Sequence, residues 1–405
     1  MLKPSINDLI KSSIRSILKN KSRTVLTSLG VIIGVTSVIM LTSIGNGLKI
    51  FVNQQFEALG SNTIFVSPGK IFNDEGGFSN NRSGLITNSF TQKNITDLKR
   101  GLKTNMVMPL KTSSVEAKSN TIKKTVTIIG TNYLYGPNNN SSPSTGNGRW
   151  FTKEEEDKNS TVAILGAVIA KDLFPNSSAL GKKIVLGSKN IKIIGVNDNK
   201  GSSFGGPSVD EYVFLPFGIV ADLTGDENIQ QIIIKAPTKD QIDSTKEKTT
   251  DILLKHFDKD AFSVFDSAQL LSSINSIIST LTIALTGIAA ISLIVGGIGI
   301  MNIMLVTVSE RTREIGLRKA IGAYPRAILL QFLFEAIILS GIGGIVGIIL
   351  GSLGTLGINS FFPARVTLSS VALAFGVSFM VGIIFGVAPA RKASRLSPIE
   401  ALRYE

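Results

Sequence analysis

The sequence predicts a membrane protein in which four transmembrane α-helices carry a large α+β domain, inserted between the first helix and the second. Hydrophobic residues make up 43% of the 405 residues, and the mean hydropathy is +0.28. Four long stretches contain almost no charge, and about 220 residues between the first two have the composition of a folded domain. The chain is too apolar for an ordinary soluble protein and too charged to lie wholly in a bilayer.

Each apolar stretch exceeds the roughly 20 residues that a helix needs to cross a bilayer. Residues 327–364 carry a single charged side chain, Glu335, and the other three stretches carry none. The second stretch is too long for one crossing and begins with polar residues, so we expect a stalk that continues into the membrane. The predicted crossings are residues 24–48, 267–308 (stalk and helix), 326–357 and 366–390.

Lysine and arginine predict the orientation, because they concentrate in cytoplasmic loops. They are frequent in residues 1–23, 309–325 and 391–405, whereas the loop between the last two crossings has only Arg365. We therefore expect a multi-pass membrane protein with both termini in the cytoplasm and residues 49–266 outside. Residues 1–23 are expected to form an amphipathic helix at the inner leaflet, or a soluble cytoplasmic helix, rather than a cleaved signal peptide.

Composition excludes several classes of function. The net charge of +13 does not predict nucleic-acid binding, since most of the positive excess lies in the cytoplasmic segments. The chain has no cysteine and one histidine, His256, so it has no disulfide and no cysteine–histidine zinc site. No phosphate-binding Gly-x4-Gly-Lys-Ser/Thr loop occurs. We predict a non-catalytic chain without a metal ion or cofactor of its own.

Residues 49–266 are predicted to be an α+β domain, with two subdomains. Residues 187–190 predict a hairpin turn. Thr152 and Glu155 have capping-box spacing, so the acidic run 154–157 is interpreted as a helix start rather than a metal or acid–base site. The predicted strands are 62–67, 106–111, 124–130, 161–165, 183–186, 191–196, 212–215, 229–236 and 262–265, and the predicted helices are 92–102, 167–174 and 239–257.

The segment VSERTREIGLRKAIGA, residues 308–323, interrupts the apolar sequence with charges at helical spacing. Ser309 is a candidate N-cap, Glu314 and Arg318 have the spacing of a favourable pair, and Gly322 predicts the helix end. Such a short helix would transmit force between two crossings, although an ordinary basic connecting loop explains the charges equally well. Glu335, about two turns into the next crossing, predicts an ion pair with an arginine of this segment or a proton path.

Four stretches together resemble the MacB/FtsX-type permeases of ABC transporters. SERTREIGLRKAIGAYPRAILLQFLFEAIILS resembles their cytoplasmic helix and third crossing, and NKSRTVLTSLGVIIGVTSVIMLTSIGNGLK resembles their first crossing. GVAPARKASRLSPIEALRYE resembles their C-terminal end. GRWFTKEEEDKNSTVAILGAVIAKDLFPNSSALGKKIVLGSKNIKIIGV resembles their extracytoplasmic core domain, so the resemblance extends over nearly the whole chain.

The resemblance implies a dimeric permease, in the lipid of a prokaryotic inner or plasma membrane, whose cytoplasmic helix docks on an ABC ATPase. ATP and Mg²⁺ would bind that ATPase, expected on a separate chain, and an extracytoplasmic adaptor is possible within such systems. Glu335 matches the acidic position of the third crossing. The ATPase-coupling residues that the resemblance implies are Glu310, Arg311, Arg313, Glu314, Gly316, Arg318, Lys319, Ala320, Gly322 and Ala323.

The function expected from this resemblance is export or extraction of an amphiphilic substrate: a peptide, a lipopeptide, a lipoprotein or a drug such as a macrolide. ATP hydrolysis would move the extracytoplasmic domain. The alternative is a transmembrane regulator, in which the same movement activates a cell-wall hydrolase or a sensor kinase and nothing is transported.

Overall fold

The computed structural model describes residues 21–59, 62–73, 77, 79, 89–104, 106–119, 122–199 and 208–403. The chain divides into two compact units. Met1–Val52 with Asn275–Glu405 is called the membrane unit, and Asn53–Ile274 is called the α+β unit. The amphipathic helix predicted over residues 1–23 lies almost entirely outside the described residues.

The α+β unit contains both helices and strands, and helices alone make up the described part of the membrane unit. In chain order the elements are α1 (Lys21–Leu59), β1 (Thr63–Pro68), α2 (Gln92–Leu102), β2 (Val107–Ser119), β3 (Ile122–Thr131), α3 (Tyr135–Asn138), α4 (Lys153–Asp157), β4 (Val162–Leu165), α5 (Ala167–Leu173), β5 (Lys183–Leu186), β6 (Lys189–Val196), β7 (Tyr212–Pro216), α6 (Phe217–Thr224), β8 (Gln231–Lys235), α7 (Ile242–Leu253), β9 (Phe262–Asp266), α8 (Ser267–Glu310), α9 (Thr312–Ala320), α10 (Pro325–Ile358), α11 (Leu368–Arg395) and α12 (Pro398–Arg403).

Four helices, α1, α8, α10 and α11, are long and apolar enough to cross a membrane. The predicted fold class is therefore confirmed. The 44 residues of α8 form one helix, which at 1.5 Å per residue is roughly 66 Å long and exceeds the hydrocarbon thickness, as expected for a stalk that becomes a crossing. Pro325 occupies the first turn of α10, and Thr367 caps α11 by accepting a hydrogen bond from the Ser370 N–H.

Small residues bring the membrane helices into close contact. A Cβ atom on Gly30 of α1 would lie 2.5 Å from the Cα of Gly296 in α8, so only glycine permits this approach. Between α10 and α11, the hydroxyl of Ser378 donates a hydrogen bond of 2.6 Å to the carbonyl of Ser340. Small residues at the facing positions of these helices therefore allow close packing.

All nine predicted strands are present in the α+β unit. Their order is β3-β7-β4-β6-β5-β2-β8-β1-β9, and an additional β2–β3 pairing closes six of them into a ring. One hydrophobic core lies between strands β3 to β7 and helices α5 and α6. A second core lies between strands β1, β2, β8 and β9 and helices α2 and α7. The long strand β2 contributes to both cores.

Several elements of the α+β unit differ from the predictions. The helix predicted over residues 239–257 is an α-helix only from Ile242 to Leu253 (α7), and the short helix α3 was not predicted. Strand β2 continues to Ser119, because its second half alternates between exposed and buried positions although it is rich in small and polar residues. The hairpin turn contains only Gly187 and Ser188, since β6 begins at Lys189. Helix α6 was not predicted, because it follows β7 directly with no intervening turn signal.

Candidate functional site

Helix α9 lies in the charged segment between α8 and α10, and a single residue, Arg311, separates it from α8. The prediction that Ser309 caps this helix is wrong. The Ser309 hydroxyl instead donates to the carbonyl of Val306 at 2.8 Å, within the last turn of α8. The Thr312 hydroxyl donates to the carbonyl of Val308 at 3.1 Å. Both hydroxyls therefore donate to backbone carbonyls near the end of α8. The helix continues to Glu310, two residues beyond the predicted boundary.

The C-terminal end of α9 is a Schellman motif, as the glycine signal predicted. Gly322 has φ of 100°, and its N–H donates to the carbonyl of Lys319 at 3.0 Å. The N–H of Ala323 donates to the carbonyl of Arg318, also at 3.0 Å. Pro325 then starts α10, so the chain between the two helices is short.

Lys319 attaches α9 to the C-terminal end of α11. Its ammonium group donates to the carbonyl of Ser394 at 2.6 Å and to the carbonyl of Leu396 at 2.7 Å. A cation at this position is favourable, because the last carbonyls of a helix carry partial negative charge and lack partners within the helix. Burial lowers the pKa of Lys319. The side chain therefore acts as a cap for another helix.

Arg318 attaches α9 to α10. One guanidinium nitrogen donates to Oε1 of Gln331 at 2.6 Å, and the other donates to Oε1 of Glu314 at 2.5 Å. The predicted Glu314–Arg318 pair is thus confirmed. Its geometry also orients the guanidinium group toward α10.

Gly316 brings α9 against α12. A Cβ atom on Gly316 would lie 2.6 Å from the Cβ of Ala401, which is buried. Sequence reasoning missed α12, although Ser397 and Glu400 have capping-box spacing around Pro398, and this signal was present in the sequence.

Arg311 and Glu335 form an ion pair between the start of α9 and α10. The distance from Nη1 of Arg311 to Oε2 of Glu335 is 3.5 Å, and the side chains are 25% and 7% exposed. Of the two interpretations of Glu335, the structure shows the ion pair. A carboxylate this deeply buried requires such a partner.

The ten predicted coupling residues thus have different environments. Arg311, Gly316, Arg318 and Lys319 contact neighbouring elements, and Ala323 is half-buried in the turn. Glu310, at the end of α8, and Gly322 are exposed. The exposed face of α9 consists of Arg313, Glu314, Leu317 and Ala320, and it continues into Ile321. The sequence motif had not singled out Leu317 and Ile321, which are 56% and 79% exposed.

The acidic run in the α+β unit has a structural role. Thr152 and Glu155 form the predicted capping box of α4. Arg149 donates two hydrogen bonds of 2.7 Å to the Glu155 carboxylate, and this interaction lowers the pKa of Glu155. Nε2 of His256 lies 3.1 Å from Oδ2 of Asp97. Among the residues that the structure describes, no group of three or more acidic or histidine side chains could hold a metal ion.

Comparison with known proteins shows which families resemble the chain. Two family models match it: a MacB-like periplasmic core domain over residues 24–252 and an FtsX-like permease C-terminal domain over residues 286–398. The chain is 33% identical over 407 residues to the ABC transporter permease YknZ of Bacillus subtilis, covering 99% of this chain and 100% of YknZ.

Two further relatives are longer than this chain. It is 35% identical over 407 residues to the macrolide export ATP-binding/permease protein MacB of Azoarcus sp. (strain BH72), covering 99% of the chain but 60% of the relative. It is 35% identical over 393 residues to the pyoverdine export ATP-binding/permease protein PvdT of Pseudomonas aeruginosa, covering 95% of the chain and 56% of the relative. The chain therefore spans little more than half the length of these two relatives.

A solved structure also matches, the periplasmic region of MacB from Actinobacillus actinomycetemcomitans. It has 20% identity and a TM-score of 0.43, and the match covers 55% of this chain and 97% of that structure. Since a family model matches more than half of the chain and YknZ is matched over its whole length, the chain belongs to the FtsX-like family of ABC transporter permeases that carry a MacB-like periplasmic core domain.

Proposed function

We propose that this permease couples ATP hydrolysis by a partner ATPase subunit to movement of its α+β unit, and so exports or extracts an amphiphilic substrate. The substrate would be a peptide, a lipopeptide, a lipoprotein or a drug such as a macrolide. ATP and Mg²⁺ would bind the partner, and the permease would function as a dimer in the cell membrane. The relatives named for macrolide and pyoverdine export, which combine ATP-binding and permease parts, support this proposal.

The proposal rests on the contacts that hold α9 against the neighbouring helices. Arg311 and Arg318 connect it to α10, Lys319 connects it to α11, and Gly316 packs on α12. A single residue separates it from α8. Because packed elements transmit displacement with little compression, a force on α9 would act on three membrane helices together. An ordinary connecting loop would not need these contacts.

The exposed face of α9 is the surface that we assign to the ATPase. Positive charge in this segment and around the C-terminal end of α11 favours a cytoplasmic location. Arg313 and Glu314 offer both signs of charge beside the apolar side chain of Leu317. Protein interfaces typically combine such an apolar centre with a charged rim.

Reversing the charge of Arg313 tests the docking. The tagged permease is purified from its host, and the ATPase is identified as the ATP-hydrolysing subunit that co-purifies with it. Arg313→Glu is expected to reduce the co-purified ATPase by about ten-fold, equivalent to about 1.4 kcal/mol, because it places repulsion at the interface. Arg318 is left unchanged, since it donates hydrogen bonds to Gln331 and Glu314 and its loss would also alter the packing of α9 on α10.

The matched control is Arg365→Glu, an exposed arginine between α10 and α11, at the opposite end of these helices from α9. It changes the net charge equally and should leave the complex intact. Unchanged ATPase recovery with Arg313→Glu would refute docking at this face.

Transport is tested on the reconstituted complex. We expect a macrolide such as erythromycin, or an acylated peptide, to stimulate ATP hydrolysis in nanodiscs. If neither compound stimulates ATP hydrolysis and the α+β unit captures a cell-wall hydrolase, the proposal of export is wrong. The protein is then a transmembrane regulator of that hydrolase.

A further inference from the structure

An exposed apolar surface extends beyond α9 onto α12. Ile399 and Leu402 of α12 are 73% and 45% exposed, and Leu317 and Ile321 of α9 are exposed to a similar degree. We call these four side chains the α9–α12 platform. They lie in the part of the membrane unit that carries Arg313, Glu314 and Glu400, which are also exposed. Apolar side chains grouped at such a charged end indicate an interaction surface.

The contact between α9 and α12 places the two helices side by side. Gly316 packs against Ala401, and a Cβ atom on Gly316 would lie 3.5 Å from the backbone nitrogen of Leu402. With Ala401 directed at α9, the helical period of 100° per residue directs Ile399 away from it.

Lys319 connects α9 to the chain just before α12. By binding the carbonyls of Ser394 and Leu396, it holds the end of α11 beside α9, two residues before α12 starts at Pro398. The position of α12 therefore depends on α9, and a displacement of one helix affects the other.

The charges of the platform favour a protein over lipid as the occupant. Amphipathic helices that lie on membranes present lysine and arginine on their polar face, and anionic headgroups repel carboxylates. In this chain Glu314 lies one helical turn before Leu317, and Glu400 lies between Ile399 and Leu402. Arg313 and Arg318 provide positive charge on the same helix as Glu314. A protein surface can match both signs of charge and receive isolated apolar side chains in pockets.

We infer that α12 is a second docking element for the same ATPase, with Ile399 and Leu402 inserted into its surface beside the contact made by α9. This inference rests on the proposed function, because it assigns α12 to the partner of α9. A displacement of the ATPase would then reach α11 through two routes, the Lys319 cap and the chain connection from α12.

Cysteine labelling tests the inference, and the wild-type permease gives no background labelling because it contains no cysteine. Ile399→Cys, Leu317→Cys and the control Phe361→Cys are each introduced alone. Phe361 is 91% exposed and follows α10, at the opposite end of that helix from α9. A membrane-impermeant maleimide is applied in nanodiscs, with and without the purified ATPase that co-purifies with the wild-type chain.

We expect Ile399→Cys to react readily without the ATPase. At an ATPase concentration about ten times the Kd, its labelling rate should fall roughly ten-fold, in parallel with that of Leu317→Cys. Phe361→Cys should react equally in both conditions. Ile399→Asp should, in addition, lower the recovery of the ATPase, whereas Phe361→Asp should not.

The outcomes separate the two proposals. Protection of Leu317→Cys without protection of Ile399→Cys would overturn the role of α12 and leave docking at α9 intact. Protection of neither would refute the proposed function as well. If Ile399→Cys is unreactive even without the ATPase, lipid or a second copy of the chain covers α12, and the inference is wrong.

Discussion

The two ends of helix α8 are fixed in different ways. At its beginning, in the α+β unit, strand β9 leads into the helix with no intervening residue, and one carboxylate secures the junction. Oδ1 of Asp266 accepts a hydrogen bond of 2.7 Å from the N–H of Gln269, and Oδ2 accepts one of 2.9 Å from the ammonium group of Lys246. Asp266 therefore caps α8 and binds it to α7.

At its other end, in the membrane unit, α8 leads into α9 through Arg311, which pairs with the buried carboxylate of Glu335. Lys246 and Asp266 are 22% and 12% exposed, so their pair is also partly buried, but the junction at Asp266 has a cap in addition to the ion pair. We therefore expect the first junction to tolerate the loss of one of its two interactions. The second junction depends on the ion pair between Arg311 and the buried carboxylate of Glu335.

The largest expected effect is therefore at the second junction. Arg311→Ala should lower the free energy of unfolding by about 3 kcal/mol, because it removes a partner of a buried carboxylate. Unfolding of the detergent-solubilised chain by sodium dodecyl sulfate, followed by circular dichroism, measures this change.

The control is Glu335→Gln, which removes the buried charge and leaves Arg311 a quarter exposed, where water can solvate it. Its expected cost is about 1 kcal/mol. An equal cost for both substitutions would contradict the idea that the buried charge dominates this junction.

An intermediate effect is expected at the first junction. Asp266→Ala should destabilise the beginning of α8 by about 2 kcal/mol, because it removes both the helix cap and the ion pair. Asp266→Asn should cost about half as much, since asparagine can still accept the N–H of Gln269. Hydrogen exchange of the amides in the first turn of α8 measures both values, and identical exchange would show that the cap contributes nothing.

The smallest effect is expected for Lys246→Met, at about 1 kcal/mol or less. Lys248→Met, an exposed lysine on the same helix, is the matched control and should change nothing. Burial alone would raise the pKa of Asp266, but the hydrogen bonds from the Gln269 N–H and from Lys246 outweigh it, so this pKa lies below its usual value.

The direction of this shift determines the pH dependence of the Lys246 effect. A carboxyl group with a lowered pKa stabilises the folded state above its unfolded pKa of about 3.9, and the stabilisation is lost as the pH falls further. The difference between wild type and Lys246→Met should therefore be constant near neutral pH and shrink below about pH 4. A difference that persisted at pH 2 would exclude the ion pair as its cause.

Much of the architecture could be predicted because its signals are local. Apolar length predicted four crossings, runs of apolar or β-branched residues predicted nine strands, and Gly322 predicted the end of α9. The ten coupling residues came from resemblance, and their assignment to an ATPase remains a proposal. One prediction failed where a helix-start signal lay inside a longer helix. Ser309 was predicted to cap α9, but its hydroxyl donates to a carbonyl within α8.

Most helices and strands, and the charge of the α9 segment, could be read from the amino-acid sequence, because hydrophobic period, caps and turn glycines act over a few residues. Which side of α9 is exposed, in contrast, depends on how the helices pack. Lys319 reaches carbonyls 75 and 77 residues away, and Gly316 meets Ala401. Contacts between residues so distant in sequence form when helices pack, and helical spacing alone does not specify the partner. Leu317 and Ile321 therefore became candidates for docking only when the packed face was known.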